Sequence, residues 1–132
     1  MAAVRQKHLV LILAREFASN LATPTAITDE QGVLVYYNEA AEEVFGQSLS
    51  EFGEMGYDEW TARFSPRAVD SDEPLPLEQR PTGVALNERR ASHERVRITS
   101  VDGVPREIAV TAFPLYAHLD ELVGTVTIFW RE

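Results

Sequence analysis

Residues 24–46 read PTAITDEQGVLVYYNEAAEEVFG, and the order of residue types within them decides the fold. Pro24 cannot continue a preceding helix, and Pro24-Thr25-Ala26-Ile27-Thr28-Asp29 reads as a short strand. Asp29-Glu30-Gln31-Gly32 is a turn, with Gly32 free to take the positive φ that many turns require. Val33-Leu34-Val35-Tyr36-Tyr37 is branched and aromatic, hence β-prone, and completes a hairpin. Asn38 then sits where an N-cap belongs. Its side-chain oxygen can accept from an otherwise unpaired amide in the first turn of a helix over 39–45. Glu39, Glu42 and Glu43 suit the positive end of that helix, and Gly46 stops it.

Before the hairpin, residues 3–20 contain neither Gly nor Pro and read as a helix. Val10, Leu13, Phe17 and Leu21 form one stripe, Leu9 and Ile12 another, and the run Leu9–Leu13 is apolar all the way round. Such a helix is clasped on two sides, by its own sheet and by a second protomer. After Gly46 the pattern weakens. A helix between Ser48 and Phe64 is expected to carry Leu49, Phe52 and Met55, with Tyr57, Trp60 and Phe64 as core anchors. The prolines of 65–76 mark a loop, and 78–88 reads as a helix whose regular part opens at Pro81. The last third alternates as three strands, 94–99, 106–113 and 123–130. Val96 and Ile98 share a face, as do Ile108, Val110 and Ala112. In the third strand Val126, Ile128 and Trp130 oppose Thr125, Thr127 and Phe129. The expected class is α+β with one five-stranded antiparallel sheet.

The chain has 132 residues, suited to one domain, and no cysteine, which excludes disulfides, thiolate nucleophiles and cysteine-held metals. No run approaches the roughly 20 apolar residues of a membrane span, and no signal peptide is present, so a cytoplasmic address is expected. A net charge of -9 argues against nucleic acid and anionic membrane as partners. Residues 39–73 hold ten acids against Arg63 and Arg67, whereas residues 1–38 hold three of each sign. The acidic stretch is a solvated face or a docking surface for a basic partner.

In its ordered elements the chain resembles a PAS domain. The resemblance rests on residues 24–46, on DEPLPLEQRPTGVALNERR (72–90), and on RITSVDGVPREIAVTAFPL with LVGTVTIFW (97–115 and 122–130). It implies a sheet of order 2-1-5-4-3, with short helices enclosing a pocket on one face and the N-terminal helix on the other. It divides the chain into a capping and dimerisation helix, 1–21, and a sensory domain, 22–132. It implies a signal-sensing or interaction module that binds a small ligand or dimerises. The alternatives are a pure dimerisation module with a dry core and a small pocket enzyme. The chain carries no output domain, so it is either part of a larger receptor or acts through a partner signalling protein.

The residues narrow the chemistry. Without cysteine the adduct-forming flavin is excluded. Haem, as the resemblance implies it, is commonly held by an axial His on the long helix; residues 78–88 have none, His93 lies just after them as the only candidate, and His8 and His118 complete no metal set. Non-covalent flavin or a small organic ligand remains. No phosphate loop, catalytic triad or HExxH is present, so no catalytic residue is expected. The expected pocket residues are Tyr36, Asn38, Phe45, Trp60, Leu86, Val96, Ile98 and Val126, joined by Ile108, Val110 and Ile128. Tyr36 would offer a phenol donor. The expected homodimer contact is Leu9, Ile12, Leu13 and Phe17.

Overall fold

The structure, a computed structural model, describes residues 2–48, 53, 55–100, 103–118 and 120–131, without the side chains of 2–8, 57, 61 and 77. Leu49 and Phe52, expected on a helix, lie outside the described residues.

Helix α1 spans Ala2–Ser19, and β1 (Thr25–Asp29) and β2 (Leu34–Tyr37) form the hairpin. The turn is held by Asp29, whose Oδ1 accepts from the amides of Gln31 and Val33 at 2.9 and 3.0 Å, with Gly32 at φ +83°. Helix α2 (Glu39–Phe45) starts at Asn38, which accepts from Ala41 N, and stops at Gly46 in the left-handed region. Met55 is not helical. It forms an isolated bridge with Leu34, and helix α3 follows as Tyr57–Phe64. A 3₁₀ turn, Leu77–Gln79, takes up the start of the expected 78–88 helix, and α4 runs Pro81–Glu88 with Pro81 in its first turn. Three long strands close the chain: β4 (Ser92–Thr99), β5 (Pro105–Tyr116) and β6 (Leu122–Arg131). Among the described residues no helix is long and apolar enough to cross a membrane.

The sheet is antiparallel with order β2-β1-β6-β5-β4-β3, where β3 is the two-residue strand Arg67–Ala68. The five long strands follow the expected order, and β3 makes a sixth. It pairs Arg67 with Arg97 and Ala68 with Val96, inside the segment read as a loop. The prolines there do not prevent pairing because backbone bonds such as Ala68 N to Glu73 O, 2.9 Å, fold the segment on itself.

Helices α2, α3 and α4 cover one sheet face and α1 the other, so β6 has no solvent face along most of its length. Its alternation was expected to place Val126 and Ile128 toward the pocket, and the register reverses this. Val110 pairs with Phe129, Ala112 with Thr127, Ala26 with Thr127 and Thr28 with Thr125. Cα partners share a face, so Thr125, Thr127 and Phe129 look toward the cover helices. Val126 and Ile128 lie beneath α1. The Thr hydroxyls tolerate the inner face because they pair: Thr28 with Thr125 at 2.7 Å and Thr82 with Thr127 at 3.0 Å.

Gly124 marks where β1 and β6 approach most tightly. A Cβ there would stand 2.0 Å from Thr28 O. Gly124→Ala is therefore expected to cost about 3 kcal/mol, the upper end for overpacking. A urea titration would read this as a lower midpoint at unchanged slope.

Candidate functional site

The sheet face under α2, α3 and α4 does not close completely. A cavity of about 70 Å³ remains, with a floor of Ala26 and Thr28 from β1, Val96 and Ile98 from β4, Ile108 and Val110 from β5, and Thr127 and Phe129 from β6. Its roof is Phe45 of α2, Trp60 and Phe64 of α3, Pro66, and the entry to α4 at Arg80, Pro81 and Thr82.

Aromatic contacts set the roof. Phe45 stacks on Phe64 with centroids 4.4 Å apart, tilts against Phe129 at 5.1 Å, and meets Tyr37 edge-on at 4.9 Å. Trp60 is fixed by its indole N–H, which donates to Gly32 O at 3.1 Å and so ties α3 to the β-hairpin turn. At the far end of α2, the Ser100 hydroxyl donates to Val44 O and accepts from Arg106 Nη1. The cover helices are thus bonded to the sheet at both ends of the cavity.

Of the expected pocket residues, the structure brings together Phe45, Trp60, Val96, Ile98, Ile108 and Val110. Tyr36 belongs elsewhere. It faces α1, where the Arg15 guanidinium lies 5.3 Å from its ring centroid. Burial pushes its phenol above the ordinary tyrosine value while Arg15 opposes the shift. Its neighbour Tyr37 points inward, only 1% exposed, and donates to Gln47 O at 2.8 Å. Adjacent strand residues face opposite ways, so only one of the pair could enter the core.

Asn38 lines no pocket either. It is buried with every polar group committed. Oδ1 accepts from Thr25 N and Ala41 N at 3.1 and 3.0 Å. Nδ2 donates to Ala18 O and Thr23 O at 3.0 and 2.9 Å, with Leu21 O at 3.4 Å. Val126 lies under α1, for the register reason given above. Leu86 is half-buried on α4, beyond the first residues of that helix that reach the cavity. The sequence reading missed Thr82, Thr127, Phe64 and Phe129 as pocket walls, and also Arg80. Only the aromatic spacing Trp60–Phe64 carried a signal for any of them.

The expected dimer residues remain uncovered in the chain: Leu9, Ile12, Leu13 and Phe17 are 54–68% exposed. Leu13 and Phe17 edge an apolar cleft between α1 and the outer sheet face, floored by Phe113, Leu115, Val126 and Ile128.

Flavin and haem are what the resemblance implies for some members. Pockets for cofactor-sized groups run about 300–1,000 Å³, and the cavity here measures about 70 Å³. His93 is a strand residue whose Nδ1 lies 2.8 Å from Thr111 Oγ1. Among the described residues no three His, Asp or Glu side chains gather to hold a metal.

Comparison with known proteins agrees with this geometry. The family model for the PAS fold matches residues 13–131. The PAS domain of nitrogen regulation protein NR(II) from Vibrio parahaemolyticus superposes with a TM-score of 0.62 at 20% identity, covering 91% of this chain and 98% of that one. A PAS domain from Colwellia psychrerythraea gives 0.64 at 17%, over 93% and 97%. The Rhodobacter sphaeroides LOV protein gives 0.70 at 13%, over 93% and 67%. No curated protein matches the chain significantly.

Two substitutions test the site's construction. Phe45→Ala removes the roof's central ring and is expected to cost about 3–5 kcal/mol. Asn38→Ala takes the side-chain acceptor from the Thr25 and Ala41 amides and one donor from the Ala18 and Thr23 carbonyls, which keep Leu21 N and Thr25 Oγ1, and is expected to cost about 3 kcal/mol, beyond a lost cap alone. Chemical denaturation followed by far-UV circular dichroism measures both.

Proposed function

The chain belongs to the PAS family, and on that premise we propose that it is a non-catalytic signalling module that pairs with a second copy through α1. A small ligand in the apolar cavity acts on that pair, and an output domain or partner signalling protein reads the result. The cysteine-free composition supports a cytoplasmic address.

The observation that carries this reading is the unpartnered apolar face of α1. Four large side chains, Leu9, Ile12, Leu13 and Phe17, stand open to solvent. They continue into the cleft over Phe113, Leu115, Val126 and Ile128, which makes one apolar surface rather than scattered exposed residues. A second copy is the occupant that charge favours. Two chains of net charge -9 repel, yet residues 1–38 carry three bases and three acids, so α1 faces can meet without that penalty.

No chemistry is assigned to the cavity. Its wall is hydrocarbon, paired hydroxyls and one arginine, and no carboxylate or histidine lines it among the described residues. That composition suits recognition of an apolar molecule, with no positioned acid or base for proton transfer.

Sedimentation velocity tests the pairing. The wild-type chain is expected to sediment as a dimer, and the double variant Leu13→Glu with Phe17→Glu as a folded monomer. A variant that sediments like wild type would remove α1 from the interface.

A further inference from the structure

Arg80 stands at the cavity wall immediately before α4, and its surroundings are unusual for a cation. Its Nε donates to Leu75 O at 2.8 Å. Its Nη1 is fully buried and has no hydrogen-bond partner. A buried guanidinium N–H without an acceptor is among the rarer features of a folded chain, and a partner is expected for it. No wall residue supplies one within hydrogen-bond distance. The Thr82 and Thr127 hydroxyls bond each other at 3.0 Å, and the side chains of Pro81, Phe64 and Pro66 in the same wall carry no acceptor. The first turn of α4 opens on the same wall without a side-chain cap, so the positive end of that helix adds to the charge of Arg80.

We propose that the cavity takes a small apolar carboxylate, with its alkyl part among Val96, Ile108 and Phe129 and its acid group on the Arg80 guanidinium. This rests on the ligand-binding half of the function proposed above and names the class of ligand. Both parts of such a molecule are required. The hydrocarbon floor rejects a bare inorganic anion, and the unpaired N–H favours an anionic head over a neutral one, since hydrogen bonds to charged groups are about twice as strong. The volume of about 70 Å³ limits the tail to a short chain.

The test is isothermal titration of the full chain with propanoate, propanamide, propanol and inorganic phosphate, the three-carbon chain being the one that a cavity of about 70 Å³ admits. Each sample is also examined by sedimentation velocity. Propanoate is expected to bind at least tenfold more tightly than the amide or alcohol, and phosphate not at all. Arg80→Met keeps the apolar stem and is expected to lose at least tenfold in propanoate affinity while binding propanol as before. Arg80→Lys should recover part of the loss. The unliganded melting temperature of Arg80→Met should fall by no more than a few degrees, because the change gives up one hydrogen bond, Nε to Leu75 O, and removes an unpartnered Nη1. A large fall would instead make Arg80 a structural residue and overturn the proposal.

Equal binding of propanoate and propanol, or unchanged propanoate affinity in Arg80→Met, would overturn the carboxylate assignment and leave an apolar-ligand sensor standing. Phosphate binding as tight as propanoate would overturn it too. Binding by none of the four would overturn the assignment together with short-chain ligand sensing. A persistent dimer in the same samples would then leave a dry dimerisation module.

Discussion

A side-chain amide offers one oxygen with two lone pairs and one nitrogen with two hydrogens, and Asn38 commits all of them to backbone groups of three separate segments. The carbonyls of Ala18 and Leu21 belong to the end of α1, Thr23 O and Thr25 N to the entry of β1, and Ala41 N to α2. The Asn38 backbone N–H also donates to Thr25 O at 3.0 Å, which closes the hairpin. The bonds to Thr25 N, Ala41 N and Ala18 O are buried, so an amide left unpaired there would cost about 1–3 kcal/mol. The joint is therefore rigid in a specific sense: α1, the hairpin and α2 share one set of bonds.

That joint matters because it links the elements on the two faces of the sheet. Helix α2 holds Phe45, the ring on which Phe64, Phe129 and Tyr37 converge above the cavity. Helix α1 holds the open apolar face on the opposite side of the sheet. The Asn38 side chain bonds the end of α1 and the first turn of α2, so a bonded path between the two faces runs through this one residue without crossing the sheet.

What could be read in the sequence follows from the range of the interactions involved. Residues 24–46 were legible because their chemistry is local. A turn carboxylate, a capping amide and a stop glycine each act within four residues. The faces of β6 were not legible. Alternation fixes that Val126 and Ile128 lie together, but with both sheet faces covered it cannot say which layer they meet, and a one-residue difference of register inverts the answer. The same ambiguity exchanged Tyr36 for Tyr37. Strand β3 escaped because two residues carry no period. Arg80 escaped because an arginine before a helix-opening proline reads as solvent-facing, and its burial depends on where α3 and the floor strands arrive.

The charge distribution then acquires a direction. The excess acidity lies on 39–73, the side of the cover helices, and the exposed charges at the sheet edge largely answer one another. Arg97 bonds Asp72 and Glu107 at 2.7 Å each, which raises its own basicity, and Arg95 lies 3.7 Å from Glu107. Such exposed pairs contribute little to stability. Their effect is on approach. Within a Debye length of about 8–10 Å, a second copy meets net repulsion over the cover and almost none over α1. The sequence thus makes one face of the molecule apolar and neutral and the other acidic. The pairing proposed for α1 brings together the apolar, neutral faces of the two copies and keeps the acidic faces apart.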